Sequence, residues 1–221
     1  MPARQLDAPE IGLITNDAFQ NAEVDYAQAL PNLRAALALA PGAPRAVQVL
    51  TGFLGRGATT GAVTTLGRGG SDLTATLVGA ALGLDEVTVW KDVDGVLTSD
   101  PRVVDDTRPV ARLTYEEATE LAFFGATVLH PLAMQPAAEA ERPMGVRVRN
   151  SYNRRAPGTL ITRARDMEGS LVTSLVLKQS VTLVDVVSTR MLGQFGFLAR
   201  VFGVFEAQVR NHIIIIKYNK L

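Results

Sequence analysis

An α/β fold with a largely parallel sheet is predicted from three features. Strand-like and helix-like patterns alternate through residues 1–162, a β-type run ends in glycines, and a second glycine-rich segment leads into a helix. Sheets of this kind bind ligands beyond the carboxyl ends of their strands, so functional loops are expected to gather there.

Taken in order, Ile11–Thr15 is a short apolar run followed by the turn-formers Asn16 and Asp17. Pro31 is expected to open a helix in which Leu33, Ala36, Leu37 and Ala40 recur at helical spacing until Pro41-Gly42 ends it. Ala46–Leu54 reads as a strand, and Gly55, Gly57 and Gly61 after it are expected to bring backbone close to a ligand. Thr64–Asp72 (TTLGRGGSD) leads into a helix carrying Leu73, Thr76, Leu77, Ala80 and Ala81, closed by Gly83. Glu86–Asp92 is a strand and Gly95–Arg108 a polar loop. Thr114 and Glu117 form a capping box for a helix that Gly125 closes, and Pro131–Glu139 is a further helix. Val146–Val148 and Thr159–Thr162 are strands on either side of the turn-rich Asn150–Gly158. Residues 163–170 read as a linker. Beyond it, Leu171–Val187 and the helix Phe195–Glu206 form a separate strand-then-helix unit, and Ile213–Ile216 reads as a strand.

The 221 residues are 47% hydrophobic, enough for one full core and part of another. Lys plus Arg and Asp plus Glu balance at 22 each, so no net field favours nucleic acid or an acidic membrane, and a small-molecule substrate is expected. The absence of cysteine excludes disulfides and thiolate metal sites, and His130 and His212 lack zinc-ligand spacing, so no metal site is assigned. No apolar stretch approaches the roughly 20 residues of a membrane span. Residues 1–10 lack both the order of a secretory signal and the Arg/Ser richness of a transit peptide.

The densest chemical signal is Gly67-Arg68-Gly69-Gly70-Ser71-Asp72. Glycines let backbone N–H groups approach an anion, a helix N-terminus adds partial positive charge, and Arg68 can clamp a carboxylate with two parallel bonds. Ser71 adds a donor. Asp72 would repel an anion unless it orders cations around it, which points to catalysis rather than capture. The competing reading is that Ser71 and Asp72 cap the next helix and the glycines only make a loop. The pattern matches neither GxGxxG nor GxxxxGK[ST]. Trp90–Arg102 (WKDVDGVLTSDPR) sets basic residues beside a strand end, although Asp-Gly and Asp-Pro are ordinary turn chemistry. His130 before Pro131 reads as a helix-start or core histidine.

TTLGRGGSDLTAT, WKDVDGVLTSDPR, TYEEATELAFFGATVLHP, NSYNRRAPGTLIT and STRMLGQFGFLARVF stand in the order and near the spacing of aspartate kinases. The wording most resembles the single-function, lysine-regulated enzymes of plants and algae, over roughly Glu10 to Glu206. The resemblance implies an amino-acid kinase fold, a mostly parallel sheet between helix layers over residues 1–162. Residues 171–221 would then open an ACT-like α+β regulatory region, with an unalignable tail from about 207. It further implies L-aspartate and MgATP as substrates, homo-oligomers formed through the ACT-like region, no nucleic-acid or membrane partner, and a plastid location, or otherwise a cytoplasmic one. By the same resemblance Arg68 binds the α-carboxylate of aspartate with Gly69, Gly70 and Ser71 beside it. Asp72 organises lysines around the transferring phosphoryl group. Lys91 and Asp92 match positions at the adenosine, Leu97 a position aromatic in some relatives, Arg102 a basic residue near the phosphates, and Thr127 a lysine of some bacterial relatives.

The family's Lys-Phe-Gly-Gly strand, whose lysine contacts the phosphates, has no counterpart in the 221 residues. The chain alone is therefore expected to be a fragment of little activity. A non-catalytic regulatory or assembly subunit of an amino-acid kinase is the alternative.

Overall fold

A computed structural model of the chain describes residues 2–39, 46–126, 129–166, 172–179, 182–184, 195–208 and 214–216. The chain divides into two compact units, 1–176 and 177–221.

The first unit alternates strands and helices, with β1 (Ala3–Leu6), β2 (Ile14–Thr15), α1 (Tyr26–Leu37), β3 (Val47–Leu50), β4 (Leu54–Gly57), β5 (Val63–Thr65) and α2 (Gly70–Leu82) in its first half. Its second half holds β6 (Glu86–Lys91), β7 (Arg112–Thr114), α3 (Tyr115–Phe123), a 3-10 turn (Pro131–Ala133), α4 (Met134–Glu139), β8 (Gly145–Asn150) and β9 (Thr159–Thr162). Among the described residues of this unit the strands form three sheets, β1–β3, β2–β4–β5 and β6–β8–β9–β7. Among the described strand pairs of this unit β4–β5 and β8–β9 are antiparallel and the other four parallel, so pairing is mostly parallel as expected.

Helix α1 begins five residues before Pro31. Asp25 supplies the N-cap by accepting from Gln28 N at 3.1 Å, and Pro31 sits inside the helix at the cost of one intrahelical bond. Its buried stripe is Ala29, Leu33 and Leu37, at spacing i, i+4, i+8. The Arg34 guanidinium donates to Ala81 O at 2.7 Å, satisfying a carbonyl at the end of α2. The expected run from Ala46 to Leu54 breaks into β3 and β4. Gly55 and Gly57 lie within β4 and not in a ligand turn, where they admit the side chains of Thr15 and Asp17 against the backbone.

Helix α2 buries Leu73, Leu77 and Ala81, and Gly83 caps it in the left-handed region at φ 64°. Strands β6 and β8 run in parallel register from Glu86↔Gly145 to Lys91↔Asn150. Val89, Val146, Val148 and Ile161 of this sheet are buried with Leu77, Leu113 and Met144. The capping box of α3 is formed on both sides: Glu117 N donates to Thr114 Oγ1 at 3.1 Å, and Thr114 N donates to Glu117 Oε2 at 2.8 Å.

The described part of the segment expected as a linker, residues 163–166, belongs to the first unit. Arg165, whose side chain is 4% exposed, closes its guanidinium on Glu117. Further on, Ser174 Oγ donates to Leu97 O at 3.1 Å and Leu175 N to Thr98 O at 2.9 Å. In the second unit β10 (Thr182–Val184) pairs in parallel with β11 (Ile214–Ile216), and α5 (Phe197–Gln208) lies between them in sequence, as a parallel connection requires.

Candidate active site at the start of helix α2

Strand β5 leads through Leu66–Gly69 into α2. Gly67 and Gly69 have φ of 73° and 77°, and Gly69 is the N-cap, with no side chain capping the helix. The reading of Ser71 and Asp72 as caps is therefore not what the backbone adopts. Gly70 N donates to Gly67 O at 3.1 Å, so that amide is engaged in the turn and does not face a ligand. Gly69 must be glycine on two counts: its left-handed φ, and the His130 side chain, which would stand 2.5 Å from an added Cβ.

Asp72 is the third residue of α2, where the helix dipole favours a carboxylate, and it is 8% exposed. Lys91, the last residue of β6, donates from Nζ to both of its oxygens, at 3.1 Å to Oδ1 and 2.9 Å to Oδ2. Asp72 and Lys91, separate candidates in the sequence, are thus one ion pair, with side chains 28% (Lys91) and 11% (Asp72) exposed. The Lys91 main chain is pinned as well, since its carbonyl accepts from Ser151 N at 2.8 Å and Ser151 Oγ at 3.1 Å. His130 borders the same turn. Burial draws its pKa below the ordinary imidazole value, with the Asp72 charge opposing, and its Nδ1 accepts from Leu132 N at 3.2 Å. The neutral ring then carries its proton on Nε2.

Arg68, on the turn before α2, is exposed and, among the described residues, makes no ion pair. Ser71 is exposed, with Oγ 3.0 Å from where a Cβ on Gly52 would stand. Asp92 is exposed after Lys91. The 92–95 turn is tied to the end of β8 through Asp94, which accepts from Asn150 Nδ2 at 2.8 Å and Asn153 Nδ2 at 3.1 Å. Leu97 is half-buried, its carbonyl holding Ser174. Arg102 turns its guanidinium onto Asp100 (Nη2–Oδ2 2.7 Å) on an exposed loop. Thr127 lies outside the described residues. Among the described residues no three His, Asp or Glu side chains gather closely enough to hold a metal ion.

Three supports escaped the sequence reading. His130 before Pro131 predicts no more than a helix-start or core residue, and its contact with Gly69 spans 61 positions that no local rule connects. Phe53 takes φ 74°, donates from N to Thr74 Oγ1 at 3.1 Å and accepts at O from Leu66 N at 2.9 Å. No residue preference marks a phenylalanine for that backbone. The Asp94–Asn150–Asn153 cluster was visible only as turn-formers.

The chain thus holds an α/β unit with a strand-to-helix glycine turn, an acid at the helix start and a lysine held on that acid from the next strand. The family model described as "Amino acid kinase family" matches residues 1–150, and the chain belongs to that family. It is 59% identical over 204 residues to "Aspartokinase 3, chloroplastic" of Arabidopsis thaliana, covering 92% of this chain and 36% of that protein. It is 43% identical over 190 residues to "Lysine-sensitive aspartokinase 3" of Escherichia coli, covering 86% and 41%. The chain thus spans between about a third and two fifths of the length of these relatives. Among solved structures, that of E. coli aspartokinase III in complex with aspartate and ADP superposes with TM-score 0.74 and 38% identity, over 93% of this chain and 44% of that one. Its lysine and aspartate complex gives 0.67 and 36%.

Proposed function

We propose that this chain carries the aspartate- and nucleotide-binding part of an aspartate kinase. That activity moves the γ-phosphoryl group of ATP to the side-chain carboxylate of L-aspartate, breaking the bond to the β,γ-bridging oxygen and giving 4-phospho-L-aspartate and ADP. The product is the first intermediate toward lysine, threonine, methionine and isoleucine. The observation that carries the reading is the Asp72–Lys91 pair at the start of α2, inside a segment 59% identical to a chloroplastic aspartokinase.

Arg68, exposed on the glycine turn, is suited to take the α-carboxylate as a two-bond clamp, with Gly69, Gly70 and Ser71 shaping the turn around it. Asp72 fixes the position of a cation and is no nucleophile, as expected where phosphoryl transfer relies on positioning and charge neutralisation. Lys91, Asp92, Leu97, Arg102 and Thr127 form the proposed nucleotide side. Mg2+ would ride on the ATP phosphates, its usual manner in kinases. The second unit is proposed as the opening of an ACT-like regulatory and pairing region, because α5 leaves Leu198, Phe202 and Val204 more than half exposed. A plastid location is proposed because the Arabidopsis relatives are named chloroplastic.

The test is a chimera in which this chain replaces the matching 204 residues of the Arabidopsis aspartokinase. Aspartyl phosphate trapped as its hydroxamate should form with the chimera and not with its Asp72→Ala form. A folded chimera without turnover would overturn the reading.

A further inference from the structure

We propose that His130 presents Nε2–H to the carboxylate that Arg68 takes, as a second side-chain donor on the aspartate side of the site. This rests on the kinase reading and adds to it a substrate contact from the loop before α4.

The glycine turn has few donors left of its own. Gly70 N is spent on Gly67 O at 3.1 Å and Asp72 N on Gly69 O at 3.0 Å, so these amides close the turn and do not meet a ligand. A carboxylate offers about four acceptor sites, and a guanidinium fork fills two of them. The others need side-chain donors standing at the same turn. His130 stands there, with Cγ and Cδ2 each 2.9 Å from where a Cβ on Gly69, the residue after Arg68, would be. Nε2 is bonded to Cδ2 and so lies on the edge of the ring that faces the turn.

The ring is held in one orientation. Nδ1 accepts from Leu132 N at 3.2 Å, and the His130 carbonyl accepts from Ala133 N at 2.9 Å, which fixes the residue on the 3-10 turn Pro131–Ala133. With Nδ1 occupied as an acceptor, a neutral imidazole carries its one proton on Nε2. Burial favours that neutral form, with the Asp72 charge opposing. Among the described residues nothing accepts from Nε2. A half-buried N–H without a protein partner takes water or a ligand, and the ligand at this turn is an anion.

The rival account is that His130 only packs on Gly69. The two accounts part on which ring nitrogen matters. His130→Asn keeps an acceptor near the Nδ1 position for Leu132 N and a flat side chain over Gly69, and removes the Nε2 donor. His130→Gln keeps an N–H near the Nε2 position and gives up the acceptor for Leu132 N.

The experiment places each substitution in the chimera and measures kcat and the KM for aspartate and for ATP, with a thermal melt of each variant. His130→Asn should raise the aspartate KM about 10-fold, the lower end of what losing a hydrogen bond to a charged group gives. Its ATP KM and kcat should stay within about twofold, as for a contact made equally in the ground and transition states, and its melting temperature should hold. His130→Gln should keep the aspartate KM within about threefold even where its melting temperature falls. An unchanged aspartate KM in His130→Asn, an equal rise in His130→Gln, or a parallel rise in the ATP KM would overturn the proposal and leave the kinase reading standing. Should one variant fail to fold, the other decides, because packing alone predicts the opposite order: an unchanged aspartate KM in His130→Asn and a raised one in His130→Gln. A folded chimera that retains His130 and shows no turnover would overturn the kinase reading itself, and this inference with it.

Discussion

His130 lies over Gly69 so closely that the turn entering α2 has room for hydrogen and nothing larger. The contact joins the loop before α4 to the N-terminus of α2 and fixes the turn on which Arg68 stands. Gly69→Ala combines a steric clash with a left-handed φ of 77°, and a loss of about 1–3 kcal/mol is expected from the backbone alone. Pairing it with His130→Ala should recover only the steric part. Thermal melts of the two single variants and the double variant check this, and strict additivity would show that the two positions are not in contact.

Arg68 is the exposed cation of the same turn. In the chimera described above, Arg68→Ala should raise the apparent KM for aspartate with the KM for ATP little changed. Losing one member of a charged, two-bond contact costs about 2–5 kcal/mol where the site is buried, and less for a residue as exposed as this one. Steady-state kinetics with aspartate varied at saturating ATP decide it, and an unchanged aspartate response would remove Arg68 from the clamp.

The isolated 221-residue chain should form no measurable aspartyl phosphate. Joining two anions demands several positive charges at once, and the described site supplies Lys91, already paired with Asp72, and Arg68. Removing one well-placed donor typically costs about 100- to 1000-fold in rate, and the chain lacks the Lys-Phe-Gly-Gly lysine with its glycines. The hydroxamate assay with Asp72→Ala as blank measures it. Turnover near one per second that vanishes in the blank would refute the expectation.

Glu117 has a pH signature. The Arg165 guanidinium and the capping N–H of Thr114 hold its carboxyl below the ordinary value of 4.5, so its contribution to stability is complete above that pH and is lost as pH falls through the folded-state value. Glu117→Gln should lower the melting temperature by a few degrees at pH 7, and the difference should fade below pH 4.5. A gap that persists unchanged at pH 3 would mean that the charge is not the source.

Much of the first unit was legible because local rules and tertiary structure agree there. The capping box at Thr114, Gly83 closing α2 and the strand β6 follow from residues a few positions apart. Expectations departed from the structure where local rules compete or where a distant segment intervenes. Pro31 looks like a helix opener until Asp25, six positions earlier, is weighed as a cap. Gly55 and Gly57 look like a ligand turn by local rules alone, and only the approach of Thr15 in β2 and Asp17 just after it shows their use. At the site, sequence showed Asp72 and Lys91 as separate candidates. Their union depends on α2 lying against β6, which no motif encodes.

The stretch after β9 sets where this molecule can be dissected. A cut at 162, where the strand pattern ends, would strip the guanidinium from Glu117 and leave the carbonyls of Leu97 and Thr98 without their donors from Ser174 and Leu175. A cut after 176 keeps all three attachments. Anyone trimming the chain for crystals or spectroscopy would therefore choose the later point, because the earlier one loosens the very loop on which Leu97 and Arg102 are carried.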